Sequence, residues 1–169
     1  MDALAGPFYA VALLLAVAGG FKALRPQATV GALRAVGLPG SPALVRVMGL
    51  GEPVVGVGAV VTGWPPLAAL VAVAYAAFAG FVWVALRRGA PIQSCGCFGT
   101  DDLAPTRIHL VVDIVASVVA GAAAVTRVDG IGAVLADQPW AGVPFVALVA
   151  VCIWFLYLLL TALPAALRA

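Results

Sequence analysis

"VMGLGEPVVGVG", residues 47–58, is an apolar, glycine-rich stretch that carries a single acidic side chain, Glu52. It lies within a longer apolar run, 43–63, which is long enough to cross the roughly 30 Å hydrocarbon core of a bilayer as one helix. Glu52 would then lie about 14 Å from the start of that helix. A carboxylate at that depth is costly unless it is paired or protonated, so the stretch predicts a membrane helix with a paired or functional acid.

The composition extends this prediction to the whole chain. The 169 residues are 64% hydrophobic and 9% charged, with a mean hydropathy of +1.16. Soluble domains carry about 25% charged residues, so this chain lacks the polar surface that water requires. The formal net charge of +2 is too small to indicate nucleic-acid binding. We therefore expect an integral membrane protein that contacts lipid and has no nucleic-acid partner.

Several apolar runs have the length of a membrane-spanning helix, and helices satisfy their own backbone hydrogen bonds in lipid. These runs are 4–23, 43–63, 66–86, 108–126 and 143–164. The sequence thus predicts an all-α, polytopic transmembrane helical bundle. Residues 1–130 would form a four-helix membrane domain, and 131–169 a connection and an additional C-terminal helix. Because residues 1–10 contain no Lys or Arg, the first run is expected to be a retained helix, not an export signal.

The distribution of basic residues predicts the orientation. The first and third connections and the C-terminus are basic, whereas the opposite side carries only Arg127; the basic residues are Lys22, Arg25, Arg34, Arg46, Arg87, Arg88, Arg107 and Arg168. Connections rich in Lys and Arg remain in the cytoplasm. We therefore expect a multi-pass protein of the bacterial plasma (inner) membrane, with its N-terminus outside and the connection that holds Cys95 and Cys97 inside.

Two pairs of polar side chains lie in or beside the apolar runs. Lys22 ends the first run on the side where the second begins, so it is expected to reach Glu52 as an intramembrane ion pair. A neutral glutamic acid bonded to a backbone carbonyl is the alternative. His109 and Asp113 are four residues apart, hence on one helix face, and are candidates for a proton relay. A purely structural hydrogen bond at the helix start, with Thr106 as N-cap, is the alternative.

The stretch "PIQSCGCFGTDD", residues 91–102, holds two of the three cysteines. Cys95 and Cys97 can form a disulfide only if the chain bends sharply, which Gly96 permits because it lacks a Cβ atom. A strained disulfide is a better oxidant than a structural one, and the start of the following helix favours thiolate over thiol. The pattern therefore predicts a thiol-exchange site. Cys152 stands alone in an apolar run and is expected to be buried.

Two other interpretations of Cys95 and Cys97 remain open. Thiolates bind Cu(I) or Zn²⁺, with His109 as a third ligand, although the chain offers no obvious fourth ligand and Cys-x-Cys is a weak zinc pattern. This metal-handling role is the minor alternative. In the other, the chain is a non-catalytic membrane subunit that stabilises a larger complex.

Three stretches carry a resemblance to a known family: "AVAGGFKAL" (16–24), "LGEPVVGVG" (50–58) and "SCGCFG" (94–99). Together they resemble the MauE methylamine-utilisation membrane proteins, which are grouped with the DoxX-like proteins. The resemblance covers about residues 4–126. It implies a four-helix core similar in outline to the quinone-linked disulfide-forming membrane enzymes.

Carried over by position, the resemblance points to Cys95, Cys97, Lys22 and Glu52 as site residues. It implies a membrane thiol–disulfide oxidoreductase or redox maturation factor with a thioredoxin-like or other thiol partner, and a quinone is a candidate electron acceptor. The helix at 143–164 is additional to the family core, and we expect it to dock a partner in a complex. A cytoplasmic cysteine pair also departs from a role in periplasmic disulfide formation, so electrons would come from a cytoplasmic thiol donor.

Overall fold

The computed structural model describes residues 3–88 and 105–166, and all regular structure within those ranges is helical. The α-helices are α1 (Ala5–Leu24), α2 (Pro26–Ala35), α3 (Pro42–Thr62), α4 (Pro65–Arg88), α5 (Arg107–Thr126), α6 (Ile131–Ala136) and α7 (Val143–Ala166). A 3₁₀ turn, Pro139–Gly142, precedes α7.

Five of these helices, α1, α3, α4, α5 and α7, are long and apolar enough to cross a membrane. Their bounds lie within two residues of the five runs predicted from the sequence. The predicted all-α, polytopic helical bundle is therefore confirmed for the described residues. Boundaries are predictable here because hydrocarbon thickness sets the minimum length and Gly or Pro marks the ends, as Gly63 does with a positive φ of 63°.

The sequence missed the two short helices, since residues between the apolar runs were assigned to connections. Pro26 begins α2, where its fixed φ suits the first helical position. Val36, directly after α2, packs with Ala32 against Ala85 of α4, and the Arg88 guanidinium donates a hydrogen bond of 2.6 Å to the carbonyl oxygen of Val36. A helix of ten residues cannot span a bilayer, so a search for spanning runs passes over it.

Helix α1 is the central helix of the bundle and the most buried of the five long ones. It packs against α3, α5 and α7 and contacts α2 and α4. Two tyrosine hydroxyls form hydrogen bonds between α1 and other parts of the chain. The Tyr75 hydroxyl of α4 donates to the Val11 carbonyl oxygen at 2.8 Å, and the Tyr9 hydroxyl donates to the Asp129 carbonyl oxygen at 2.6 Å. The first apolar run thus forms the core around which the others assemble.

Helices α1 and α3 run antiparallel with almost no space between their backbones. A Cβ atom added at Gly49 would lie 2.7 Å from the backbone nitrogen of Ala23, and one at Gly56 would collide with the carbonyl oxygen of Ala12. Gly19 in turn faces Gly49 and Glu52. Two glycines of the 47–58 stretch are therefore required for packing, as expected where small residues let membrane helices approach.

Helices α4 and α5 form a second antiparallel pair. Ala116, Ala120 and Ala123 of α5 are buried, and the Ser117 hydroxyl donates to the carbonyl oxygen of Ala72 at 2.9 Å. This places the start of α5 beside the end of α4. The C-terminal ends of α1 and α4 and the N-terminal ends of α3 and α5 therefore lie at the same end of the bundle as α2. We call it the arginine-rich end, and it carries Arg25, Arg34, Arg46, Arg87, Arg88 and Arg107.

Helix α7 lies at the periphery, where it contacts α1 and α5 and leaves most of its surface outside the bundle. Trp154 and Phe155 are exposed on it. Cys152 is also exposed and is not in a disulfide, so the prediction that it is buried was wrong. An apolar run does not reveal which of its faces meets protein, because in a membrane the outward face is apolar too.

We expect Gly56→Ala to lower the free energy of unfolding by about 1–3 kcal/mol, because the new methyl group forces α1 and α3 apart. Gly51→Ala on the same helix is the matched control, since a Cβ atom there meets no atom within 4 Å. Thermal melts of both variants in detergent measure the difference. Equal melting temperatures would contradict the proposed packing role of Gly56.

Candidate functional site

Buried lysine, histidine and carboxylic acid side chains among the described residues are candidates for function, because a buried charge is costly. They are Lys22 on α1, Glu52 on α3, and His109 and Asp113 on α5. All four were predicted as site residues from the sequence. Each is at most 8% exposed, so none functions as an ordinary surface charge.

Lys22 and Glu52 form the expected ion pair. The Lys22 Nζ atom donates to both carboxylate oxygens of Glu52, at 2.7 Å to Oε1 and 2.8 Å to Oε2. The same ammonium lies 4.0 Å from the centre of the Phe78 ring, which adds a cation–π contact. The pair forms because Gly19 and Gly49 let α1 and α3 approach at this level. Helix α3 continues through Pro53 as one element from Pro42 to Thr62.

The burial of Lys22 changes the charge count used for orientation. Lys22 was counted with the first connection, but it is neutralised inside the bundle and does not mark a loop. The asymmetry survives its removal, because the arginine-rich end still carries six arginines and the described residues of the opposite end carry Arg127 with Asp129 and Asp137. The predicted orientation therefore rests on arginine alone.

A partly open cavity of about 220 Å³ lies beside the ion pair, between α1, α2, α3 and α4; we call it the large cavity, in contrast to a smaller one described below. Its wall is apolar except for Lys22, Thr29 and Glu52; the other lining residues are Leu33, Leu38, Val45, Met48, Ala77, Phe78, Phe81 and Val82. Helix α2 supplies Thr29 and Leu33, so an element that the sequence did not predict forms part of the wall of this cavity. The amphipathic pattern of residues 26–35 is the feature of the sequence from which α2 could have been predicted.

A second cavity, of about 20 Å³, shares Lys22 and Phe78 with the large cavity; we call it the small cavity. His109 and Asp113 of α5 contribute to its wall, together with Tyr75 of α4. The remaining lining residues are Leu14, Leu15, Ala18 and Leu160. The two polar pairs that the sequence suggested separately thus meet around one lysine and one phenylalanine.

His109 is held at the start of α5 by a capping box with Thr106, the predicted N-cap. The Thr106 hydroxyl oxygen lies 2.9 Å from Nδ1 of His109, and the backbone N–H of Thr106 donates to the same nitrogen at 3.4 Å. Because Nδ1 accepts that bond, a neutral ring carries its proton on Nε2. Asp113 lies one turn further along the same face. The proton-relay role of this pair stays a prediction.

Cys95 and Cys97, which were also predicted as site residues, lie outside the described residues. The chain that leads to them leaves α4 at Arg88 and enters α5 after Thr106, both at the arginine-rich end. Within residues 3–88 and 105–166, no three potential metal ligands are grouped together. The metal-handling hypothesis depends on the two cysteines and is not tested by this finding.

Comparison with known protein families identifies the family of this chain. The family model described as "Methylamine utilisation protein MauE" matches residues 3–128. The chain belongs to the MauE family. The match spans α1 to α5 and ends before α6, so α6 and α7 lie outside it. With five helices of spanning length, this MauE-family chain is a multi-pass membrane protein. Comparisons with curated proteins and with solved structures find no match.

We expect Lys22→Met to destabilise this MauE-family protein by about 3–5 kcal/mol, because it leaves the Glu52 carboxylate buried without its partner. The double variant Lys22→Met/Glu52→Gln removes both charges and is expected to recover most of that loss. Unfolding in detergent, followed by helical circular dichroism, measures both. If Lys22→Met had the same free energy of unfolding as the unmodified protein, the burial of the pair would be contradicted.

Proposed function

We propose that this protein is a membrane thiol–disulfide oxidoreductase or redox maturation factor that works through Cys95 and Cys97. The observation that carries the proposal is the Cys-Gly-Cys motif in the connection between α4 and α5 of a MauE-family bundle. Helix α4 ends and helix α5 begins at the arginine-rich end, and the large cavity and the buried ion pair lie towards the same end.

The exchange takes place in two balanced steps. One cysteine thiolate attacks a sulfur of the partner's disulfide, which forms a mixed disulfide and releases a partner thiolate. The second cysteine thiolate then attacks the mixed disulfide, which yields the Cys95–Cys97 disulfide and the fully reduced partner. Two electrons pass from the cysteine pair to the partner. The two protons that the Cys95 and Cys97 thiols release are balanced by two protons that the partner's thiolates take up. The same two steps in reverse oxidise the partner. The amino-acid sequence does not indicate which direction operates.

A quinone is a candidate for the group that exchanges electrons with the pair, since it would supply two-electron chemistry within the membrane. The large cavity fits a ring of this kind. It exceeds the roughly 150 Å³ apolar cavity that admits benzene, and its wall is almost entirely hydrocarbon and aromatic. Lys22 would donate a hydrogen bond to an oxygen of the ring, and Phe78 and Phe81 would contact its face. His109 and Asp113 would act as a proton relay at the same end of the bundle.

The partner would be a thioredoxin-like or other thiol protein. A thioredoxin-like partner supplies a thiol pair of the same chemistry, and the basic residues of the arginine-rich end suit an acidic docking surface. Helix α7 would dock a further membrane subunit, because it lies outside the MauE-family match and is the least buried of the five long helices. We propose the plasma membrane of a bacterium as the location.

The thiol chemistry is tested with a thioredoxin that keeps only its attacking cysteine. Mixed with the oxidised protein in nanodiscs, it is expected to form a mixed disulfide, and peptide mass spectrometry identifies whether Cys95 or Cys97 is attacked. Cys152→Ser is the control and should behave as the unmodified protein, whereas Cys95→Ser and Cys97→Ser should form no such adduct. A pair that stays reduced in every glutathione buffer would refute the proposal.

Sidedness is tested by labelling Cys95 and Cys97 with a membrane-impermeant maleimide in a Cys152→Ser background. After mild reduction, we expect labelling in inverted vesicles and none in intact cells, because the arginines keep this connection in the cytoplasm. Labelling of intact cells would reverse the proposed orientation and place the thiols where periplasmic proteins reach them.

The non-catalytic subunit is the second candidate function. Helix α7 favours it, because this helix lies outside the MauE-family match and is the least buried of the five long helices. Its expected signature is a complex that co-purifies in fixed stoichiometry and assembles equally well without Cys95 and Cys97. Loss of assembly in the double cysteine variant would support the redox proposal over this one.

A further inference from the structure

We propose that a groove between α1, α5 and α7 binds one acyl chain of a bilayer phospholipid. The groove has a volume of about 580 Å³, and we call it the lateral groove. It shares no lining residue with the large or the small cavity. This binding site is therefore independent of the buried ion pair and of the proposed thiol chemistry.

The floor and the two sides of the lateral groove come from three different helices. Gly6 and Ala10, one turn apart on α1, keep the floor low because neither has a side chain beyond Cβ. Val115 and Val119, at the same spacing on α5, form one side. The other side is a stripe of α7 that consists of Leu148, Cys152, Phe155 and Leu159.

The lateral groove is open on its outer side. Val115, Leu148 and Phe155 are each more than half exposed, so protein does not cover them in the described part of the chain. Helices α5 and α7 have spanning length, and the exposed sides of their middle turns lie at the depth of the hydrocarbon core. The molecules that meet this opening are therefore lipids.

The lining of the lateral groove favours hydrocarbon over water. Among the described residues that form it, the Cys152 sulfur is the only side-chain heteroatom. A buried water molecule requires two to four polar partners, which this lining does not supply. An empty groove would leave the lining atoms without dispersion contacts on one side. A hydrocarbon chain restores those contacts.

The length of the lateral groove corresponds to one leaflet of a bilayer. From Leu148 to Leu159 its lining extends about 16 Å along α7, close to half of the roughly 30 Å hydrocarbon core. The groove begins at Gly6, near the start of α1 and therefore at the end of the bundle opposite the arginine-rich end. One acyl chain that descends from the headgroups at that end would fill it.

A further helix does not fit between the sides of the lateral groove. Helices α1, α5 and α7 contact one another pairwise, and packed helices have axes about 8–10 Å apart. A helix with its side chains is about 10–12 Å across, so it would have to force α5 and α7 apart. An acyl chain is a single file of methylene groups and enters without such a movement.

The bound chain would join α7 to the rest of the bundle. Near the start of α7, the Phe145 ring lies edge-on to the Tyr9 ring, with centroids 5.9 Å apart. Towards the other end of α7, Leu160 packs with Leu14 and Ala18. Both of these contacts are with α1. Between them, an acyl chain in the lateral groove would supply the packing between α7 and α5.

The first test locates the chain in the unmodified protein. Nanodiscs of palmitoyl-oleoyl phosphatidylethanolamine contain a small fraction of the same lipid with a diazirine in one acyl chain. After irradiation, fragment mass spectra identify the labelled residues. We expect more label on Val115 than on Val118, a valine of the same helix that is more exposed but does not line the groove. Equal labelling would indicate bulk lipid only and would overturn the proposal.

The second test fills the lateral groove with a larger side chain. Val115→Trp places an indole in the space of the chain, and Val118→Trp is the matched control outside it. In native mass spectrometry after release from the nanodiscs, the unmodified protein and Val118→Trp are expected to retain one phospholipid per chain. Val115→Trp is expected to lose it. Leu148→Trp fills the groove from α7 and covers the case in which Val115→Trp does not fold.

Two results of the second test would overturn the proposal. The first is equal lipid retention by Val118→Trp and by the two variants that fill the groove. The second is a dimer of the unmodified protein that Val115→Trp dissociates, because a second copy of the chain would then cover the groove.

Discussion

The ion pair between Lys22 and Glu52 is the interaction on which the arrangement of this bundle depends. Two opposite charges inside an apolar structure must meet at hydrogen-bond distance or neither is tolerated. Their contact sets the register of α1 against α3, and glycines on both helices make the approach possible. Helix α1 thereby becomes the central element, since the pair holds it between α3 and the helices packed on its other sides.

The position of the pair also creates the candidate site. Lys22 lies near the end of α1, so α3 continues beyond it and α2 folds across the space that remains. That space is the large cavity, and Lys22 and Phe78 line both it and the small cavity beside α5. A charge that stabilises the fold is thus also the polar group available to any molecule in the cavity.

Much of the fold could be predicted because the bilayer imposes a length on each helix. The five long helices were placed within two residues, and both Thr106 as N-cap and the Lys22–Glu52 contact were expected. Helix α2 was missed because spanning length was the criterion applied. Cys152 was placed inside the bundle, although it faces outward, because hydrophobicity does not separate lipid from protein in a membrane helix.

The sequence by itself determined the fold class, the MauE-family resemblance and the identity of the buried ionisable residues. Each follows from composition, run length or motif, which need no knowledge of neighbours in space. Only the tertiary structure decided that the two polar pairs line two cavities that share Lys22. Helices α1, α3 and α5 are separated along the chain, and their meeting depends on backbone approach at a few glycines and on the direction of side chains from each helix. Periodicity gives a face, but packing decides what that face contacts.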